Sequence, residues 1–193
     1  MDIKTYKLTV DPRILELLGP NLYTNIYYVL AELIANAYDA DASNVYIIAN
    51  DDNITVEDDG NRMSYENGDI AKFLNVAGIS RTNDEDAVSK TLKRHKMGRK
   101  GVGKLAALSV SEEVEVLTIN NGEKSGFVMS RHPKGEMLDA IPEDKIQLSM
   151  VEGNGTAIVM KRPQYRLHKT LSVVKKNLIK IFPLVSEDFA IHI

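Results

Sequence analysis

The sequence lacks cysteine altogether, which excludes a disulfide framework and thiolate metal sites and fits a reducing compartment. It has no apolar run near the ~20 residues that cross a bilayer, and residues 1–10 carry charges without the apolar core of a signal peptide. The histidines show no ligand spacing, so we predict no metal site built by protein alone. The net charge of −3 gives no general indication of binding to nucleic acid or to an acidic membrane. We therefore expect a cytoplasmic domain that does not enter a membrane.

The 193 residues fit a single compact domain, since no internal repeat or low-complexity linker divides them. The residue pattern predicts helices near 22–40, 70–75, 102–109 and 167–181, and strands at 45–48, 54–56, 114–119, 126–129, 146–150, 157–160 and 189–193. Asn121-Gly122 predicts a hairpin turn between the strands at 114–119 and 126–129, and the strands at 146–150 and 157–160 are predicted to pair around 153–155. The polar and basic stretch 78–100 is predicted as a mobile loop. Because helices and hairpins come in blocks, the pattern favours an α+β fold with a mixed, largely antiparallel sheet and helices on one face. The last strand stops at the final residue, which suggests a cut from a longer protein.

Glu32, Asn36 and Asp39 form a line of polar side chains along the first predicted helix. At ~100° per residue, positions four and seven apart lie within ~40° of the first, and the apolar stripe is centred roughly 100° away. The line therefore lies at the edge of the core, where a pocket wall would be. A carboxylate can deprotonate an attacking water, and an amide oxygen is a hard ligand for Mg²⁺. A phosphate site and an ordinary solvated helix face fit this line equally well.

Two short motifs adjoin predicted strands. Asp58-Asp59-Gly60 follows the strand at 54–56, where a carboxylate is fixed in direction and can accept a hydrogen bond from an adenine amino group. Gly60 would let the backbone approach a base closely. Because Asp and Gly are also common in turns, an ordinary turn is the favoured interpretation of this motif alone, as it is of Gly155-Thr156.

The glycine-rich stretch from Met97 to Lys104 is more specific. Its glycines free the backbone to curl, a following helix would present unpaired N–H groups to an anion, and Lys104 is a candidate for neutralising phosphate charge. P-loop and dinucleotide-binding spacings both match in part, but both need a buried strand before the loop, and 90–96 are polar and basic. Phosphate binding is favoured over a flexible turn. The basic run 90–100 lacks interleaved aromatic residues, so we interpret it as a solvated loop or a phosphate lid rather than a nucleic-acid interface.

In this order, the motifs resemble those of the GHKL family, which includes gyrase, the ninety-kilodalton heat-shock chaperones, histidine kinases and mismatch-repair ATPases. The resemblance covers 22–160 and rests on the boxes Glu32–Ala40, Asp58–Met63, Gly98–Gly103 and Gly155–Thr156. It implies a two-layer α/β sandwich and a single ATP-binding domain over 1–193, the N-terminal part of a longer protein. Within the family, the sequence is more similar to the chaperone, mismatch-repair and microrchidia-like ATPases than to the kinases.

The resemblance also implies a role for each matching residue. Glu32 would be the general base, Asn36 the Mg²⁺ ligand, and Asp39 a support for the phosphate and metal region. Asp58 would bind the adenine amino group with Thr156 beside it, and the second box would add nucleotide contacts from Gly60 and Met63. The stretch 78–100 would form the ATP lid, and the phosphates would be lined by Gly98, Gly101, Val102, Gly103 and Lys104. The implied cofactors are ATP and Mg²⁺, and the implied partner is a second copy, in a nucleotide-dependent homodimer.

Arg62 departs from the family pattern, which usually has glycine at this position. A side chain there would narrow the adenine pocket or restrict φ. ATPase members of the family complete their site with a basic residue from a following domain, so the isolated domain is expected to hydrolyse ATP slowly.

Three functions are open on the sequence. The favoured one is an ATPase whose lid and dimer contacts change with nucleotide, in a protein whose effector lies in a C-terminal part. A histidine-kinase catalytic domain is disfavoured, because those kinases usually carry Asn where this chain has Glu32, and no phospho-acceptor helix pair precedes residue 22. The third is a non-catalytic nucleotide-binding or interaction module, for which Arg62 is the best argument.

Overall fold

An eight-stranded sheet organises the chain. The computed structural model describes residues 4–7, 9–10, 25–76, 88–97, 105–132, 137–183 and 187–193. The strand order across the sheet is β1 (Tyr6–Lys7), β8 (Met137–Ala140), β7 (Glu123–Ser130), β6 (Glu113–Asn120), β9 (Gly155–Lys161), β4 (Asn53–Asp58), β3 (Asn44–Ala49) and β10 (Ala190–His192). All these neighbours are antiparallel except β3 and β10, which are parallel. A separate parallel pair joins β2 (Thr9–Val10) to β5 (Asn75–Val76).

The described α-helices pack on one face of this sheet and share its main core. They are α1 (Ile26–Asp39), α2 (Asp69–Leu74), α3 (Ala107–Val110) and α4 (Leu171–Ile181). The longest, α1, is capped by Asn25, whose side chain accepts the Tyr27 N–H, and it buries Leu30 and Ile34 against the strands. None of these helices is both long and apolar enough to cross a membrane. The α+β, two-layer prediction is confirmed.

The Asn121-Gly122 turn predicted between two strands is confirmed. Both residues have positive φ, 51° and 87°, as a type I′ hairpin requires. The hairpin holds β6 and β7 in register over their full lengths, from Glu113 opposite Ser130 to Asn120 opposite Glu123. Two long central strands are therefore fixed by a turn that the sequence specifies locally.

The prediction of a strand at 146–150, paired with 157–160, is wrong. In the structure the backbone N–H groups of Ser149, Met150 and Val151 donate to the carboxylate of Glu57, at 2.9, 2.7 and 2.6 Å. Glu57 is 1% exposed and lies in β4. Because a side chain takes these donors, they are not available for a strand ladder. The hairpin predicted around residues 153–155 is therefore wrong as well, and β9 pairs with β4 and β6 instead.

Other boundaries differ by less. The predicted helix 167–181 begins at Leu171, because Thr170 is its extended N-terminal cap and Leu167 packs against the core from the preceding loop. The short strands β1, β2 and β8 were not predicted, since runs of two to four residues carry too little periodicity.

Candidate nucleotide-binding site

A row of buried polar side chains crosses the sheet on the face that the helices cover. In register, Asp58 of β4 lies opposite Thr156 of β9, Thr156 opposite Thr118 of β6, and Thr118 opposite Ser125 of β7. All of them are at most 9% exposed. Side chains two residues further along these strands lie on the same face and belong to the main apolar core: Val56, Ile158, Val116 and Phe127. The row therefore marks where the core changes from apolar to polar.

Asp58 is the charged member of this polar row. Its Oδ1 accepts the Gly60 N–H at 2.9 Å, and no other hydrogen bond joins this carboxylate to a described residue. Burial, with a smaller contribution from the neighbouring charges of Asp59 and Glu57, raises the pKa of Asp58 to about 7 against the lowering effect of that bond. A ligand that donates a hydrogen bond to such a carboxylate stabilises its charged form, because the bond replaces part of the solvation that burial removes.

Asp59, the next residue, has a structural role, because its carboxylate is fully engaged by the neighbouring strand. Its carboxylate accepts the backbone N–H groups of Ser43 and Asn44, at 2.7 and 2.8 Å, and the Asn44 side-chain amide at 2.8 Å. It therefore ties the end of β4 to the start of β3. Of the two adjacent carboxylates, Asp58 is the candidate ligand and Asp59 holds the strands together.

Two glycines allow close backbone approaches around Asp58. A Cβ on Gly60 would lie 2.8 Å from the Ala40 carbonyl oxygen, at the end of α1. A Cβ on Gly155 would lie 2.3 Å from the Asp58 carbonyl oxygen. Real side chains do not fit at such distances, so both positions require glycine. Gly155 was missed as a site residue, although it adjoins Thr156 in the late Gly-Thr box.

The second box continues from Gly60 along the polar row. Met63 is half-buried against the main core, and its carbonyl oxygen accepts the Thr118 hydroxyl at 3.4 Å. Arg62 is also half-buried, and its Nε has no hydrogen-bond partner among the described residues. A buried donor without a partner lowers the stability of the fold, so an acceptor placed beside the Arg62 Nε would be bound favourably.

The polar line on α1 has the placement predicted for it. Glu32, Asn36 and Asp39 are all half-buried, while the intervening Leu33 and Ala37 are buried. The line therefore lies at the edge of the core. The Asp39 carboxylate also binds a distant part of the backbone: its Oδ1 accepts the Met97 N–H at 2.7 Å. This bond fixes the residue directly before the glycine loop, whose predicted ligands Gly98, Gly101, Val102, Gly103 and Lys104 lie outside the described residues.

Residues 88–97, predicted as part of a mobile loop, have specific contacts at the end of α1. Asp41 accepts the N–H groups of Thr91 and Leu92, at 2.8 and 3.1 Å, and the Asn61 side-chain amide at 2.8 Å. Arg94 donates to the Ala42 carbonyl oxygen at 2.6 Å. Because of these bonds, 88–97 is attached to the end of α1, and Asp41 links it indirectly to Asn61 of the second box, which differs from the predicted mobile loop.

The family model of histidine kinase-, DNA gyrase B- and HSP90-like ATPases matches residues 23–156, which include α1, the second box and Thr156. The chain belongs to this ATPase family. The family resemblance stated from the motifs is therefore confirmed, and ATP is the ligand that membership supports.

One relative of this ATPase domain is a much longer protein. The chain is 29% identical over 191 residues to the "Putative type II restriction enzyme HgiDII" of Herpetosiphon aurantiacus. The match covers 95% of the chain but only 30% of that protein. The ATPase domain thus spans about a third of the length of the relative that it matches.

Proposed function

We propose that this domain binds Mg-ATP beside the polar row and hydrolyses it slowly. The observation that carries the proposal is the buried Asp58 carboxylate, with Thr156 directly opposite it, in a member of an ATPase family. The adenine amino group donates to Asp58, and Thr156 supports the base by a hydrogen bond or a water. Gly60 and Met63 flank the base, since both follow Asp58 closely in the second box.

The phosphates lie toward the polar line of α1. Glu32 orients and deprotonates the attacking water, because it is partly exposed and belongs to the same helix edge as Asn36. Asp39 contributes indirectly, since its bond to Met97 positions the chain at the entry to the glycine loop. That loop supplies backbone N–H groups and the Lys104 ammonium to the phosphates.

Asn36 fits a Mg²⁺ site of the kind that nucleotides complete. Its side-chain oxygen is a hard donor on the half-buried edge of α1, and Mg²⁺ takes few protein ligands when phosphates and waters supply the rest. When bound, the ion would neutralise phosphate charge.

The domain acts within a larger protein. The relative's length supports this, as does its name, which refers to a restriction enzyme. ATP closes the lid formed by 78–100 and promotes pairing of two copies, and hydrolysis reverses both. The attachment of 88–97 to the end of α1 supports a lid that is anchored to this helix. In this proposal the nucleotide cycle controls an activity on DNA that another part of the protein performs.

Arg62 favours one alternative, a module that binds no nucleotide. A long side chain in the second box would fill the adenine position instead of the ligand. Calorimetric titration with ATP and Mg²⁺ separates the two, with Arg62→Gly as the matched variant. Binding by Arg62→Gly alone would support the alternative.

The same titration tests the main proposal through Asp58→Asn, which keeps the shape of Asp58 and an acceptor for Gly60 but replaces the other carboxylate oxygen with a donor. We expect the parent to bind and Asp58→Asn to lose at least tenfold in affinity, since a hydrogen bond to a charged group contributes about 1.5–3 kcal/mol. Equal binding by both would remove Asp58 from the site. For turnover, Glu32→Gln in the longer protein should retain ATP binding and lose hydrolysis.

A further inference from the structure

The chain from Lys161 to Lys180 carries charge of only one sign. It contains seven of the 24 lysines and arginines and no acidic residue, although the whole chain has a net charge of −3. These residues, which we call the basic surface, are Lys161, Arg162, Arg166, Lys169, Lys175, Lys176 and Lys180. The average charge of the protein therefore conceals a strongly positive segment.

The structure exposes most of this charge. Lys161 is half-buried and paired with Glu115 at 2.9 Å, whereas Arg162 lies 3.9 Å from Glu113 with its side chain 81% exposed. The other members of the basic surface are exposed and form no ion pair with a described residue. The positive charge of these side chains can therefore attract an anionic partner.

The helix in this segment separates its charges from its apolar side. Val174 and Leu178 of α4 are buried in the core. Lys176 and Lys180 lie on the side away from them, one turn apart, at a spacing of about 6 Å along the helix axis. Because α4 already uses its apolar side for packing, it has no continuous apolar face with which to enter a membrane.

A cleft extends the charge beyond the helix. It has a volume of about 650 Å³ and lies between the tip of the β3–β4 hairpin and the loop that leads into α4. Arg162, Arg166 and Lys169 line it, together with Leu171 at the start of α4. The cations of the basic surface are thus distributed over two places, the cleft and the solvent side of α4, rather than gathered around one point. Charge spread over such a length suits a linear polyanion better than a small anion.

We propose that the basic surface binds the phosphate backbone of duplex DNA. Single strands are held by stacking on several aromatic side chains, whereas this segment offers one exposed aromatic residue, Tyr165, at 40%. Lysine and arginine contacts to phosphate need no particular base sequence, so the binding is sequence-independent. This surface lies apart from Asp58 and Thr156, and the proposal does not depend on ATP binding.

Two acidic residues oppose the proposed contact and give it a second test. Asp51 and Asp52, at the tip of the β3–β4 hairpin, line the same cleft. A phosphate backbone in the cleft would be repelled by them. Neutralising both, in Asp51→Asn/Asp52→Asn, should therefore tighten DNA binding by a few fold, whereas a backbone lying elsewhere would leave the affinity unchanged and contradict the role of the cleft.

The experiment is fluorescence anisotropy of a short labelled DNA duplex, titrated with the chain at several salt concentrations. The test variant is Lys176→Glu/Lys180→Glu, and the matched control is Lys72→Glu/Lys145→Glu, which changes net charge equally at exposed positions elsewhere. We expect the parent to bind with a Kd of roughly 10⁻⁴–10⁻⁶ M that weakens with salt. The test variant should bind at least tenfold more weakly, with a salt slope smaller by about two, and the control should stay within about twofold of the parent.

Three outcomes would overturn the proposal. They are no binding by the parent at low salt, equal loss in the test and control variants, and binding of polyglutamate as tight as that of DNA at equal charge concentration. The last would favour an acidic protein as the partner. Circular dichroism of each variant shows that it is folded, and the calorimetric ATP titration shows separately whether the nucleotide site is intact.

Discussion

Asp58 and Thr156 lie directly opposite each other at the ends of two antiparallel strands, β4 and β9, and each is 9% exposed. They are almost a hundred positions apart in the sequence, yet the register of the strands places both side chains on the helix-covered face. In the proposed ATP site, this buried acceptor beside a buried hydroxyl would recognise the flat polar edge of the base. The Gly155 backbone makes this pairing possible, since it passes against the Asp58 carbonyl group.

The role of Thr156 can be tested against a matched threonine in the same row. Thr156→Val should weaken ATP binding about two- to tenfold, because one hydrogen bond to the ligand is lost, worth about 0.5–1.5 kcal/mol. Thr118→Val removes a hydroxyl that donates to the Met63 carbonyl at 3.4 Å, and it should cost stability more than affinity. Calorimetry and urea denaturation of both variants measure the two effects, and equal losses of affinity would contradict a direct role for Thr156.

The raised pKa of Asp58 predicts how stability depends on pH. Its pKa of about 7 in the folded protein exceeds the ordinary value of 3.8, so the folded state holds a proton that the unfolded state has lost. This contribution to stability is complete below pH 3.8 and is lost as pH rises through 7. Between pH 5 and pH 8, the free energy of unfolding of the parent should therefore fall by on the order of 3 kcal/mol relative to that of Asp58→Asn. Urea denaturation of both proteins at the two pH values measures this, and parallel profiles would show that Asp58 titrates normally.

Local patterns predicted only part of the candidate site. The spacing of Glu32, Asn36 and Asp39 on α1 gave their position at the core edge. The motif Asp58-Asp59-Gly60 alone favoured an ordinary turn, and only the family resemblance pointed to Asp58 as a ligand. Thr118 and Ser125 could not be found in this way. Each is a polar residue within an apolar strand, and its meaning depends on the register of β6 with β7 and β9, which are separate in the sequence.

The wrong strand at 146–150 has a similar cause. Its apolar residues fit a strand, but the backbone donors of 149–151 are satisfied by Glu57, a residue about ninety positions earlier. A buried carboxylate that replaces a strand ladder leaves no signal in the segment whose structure it determines. The contacts of Asp41 with Thr91 and Leu92 are equally non-local, and the sequence of 88–97 alone therefore indicated a loop without fixed partners.

Gly155 should be essential for the shape of the site. In Gly155→Ala the new methyl group would meet the Asp58 carbonyl oxygen, so we expect a loss of about 1–3 kcal/mol in the free energy of unfolding and of most ATP binding. Gly153→Ala is the control, because Gly153 has a φ of 85° but no atom within 4 Å of an added Cβ. The free energy of unfolding of Gly153→Ala should fall by about 1 kcal/mol, and its ATP affinity should stay unchanged. Retained ATP binding in Gly155→Ala would show that β9 can move away from Asp58 without harm.

Asp41 should control the order of residues 88–97. Burial acts to raise the pKa of Asp41, but hydrogen bonds from Ser89, Thr91, Leu92 and Asn61 outweigh it and hold the pKa below its usual value. The attachment should therefore persist above pH 3.8 and be released only as pH falls through the lowered pKa. In Asp41→Ala, amide exchange at Thr91 and Leu92 should accelerate about tenfold or more, since both donors lose their acceptor.

Two variants make this test specific to the acceptor. Asp41→Asn keeps one of the two accepting oxygens, and asparagine tolerates the φ of 62° at this position, so it should retain the protection of one of the two amides and lose that of the other. Asp51→Ala changes an exposed aspartate at a hairpin tip and should leave exchange at 91 and 92 unchanged. Hydrogen exchange measured by NMR resolves the individual amides. If exchange in Asp41→Ala matched the parent, the Asp39–Met97 bond and the Arg94 contacts would be sufficient to hold the segment, and Asp41 would only stabilise the turn that follows α1.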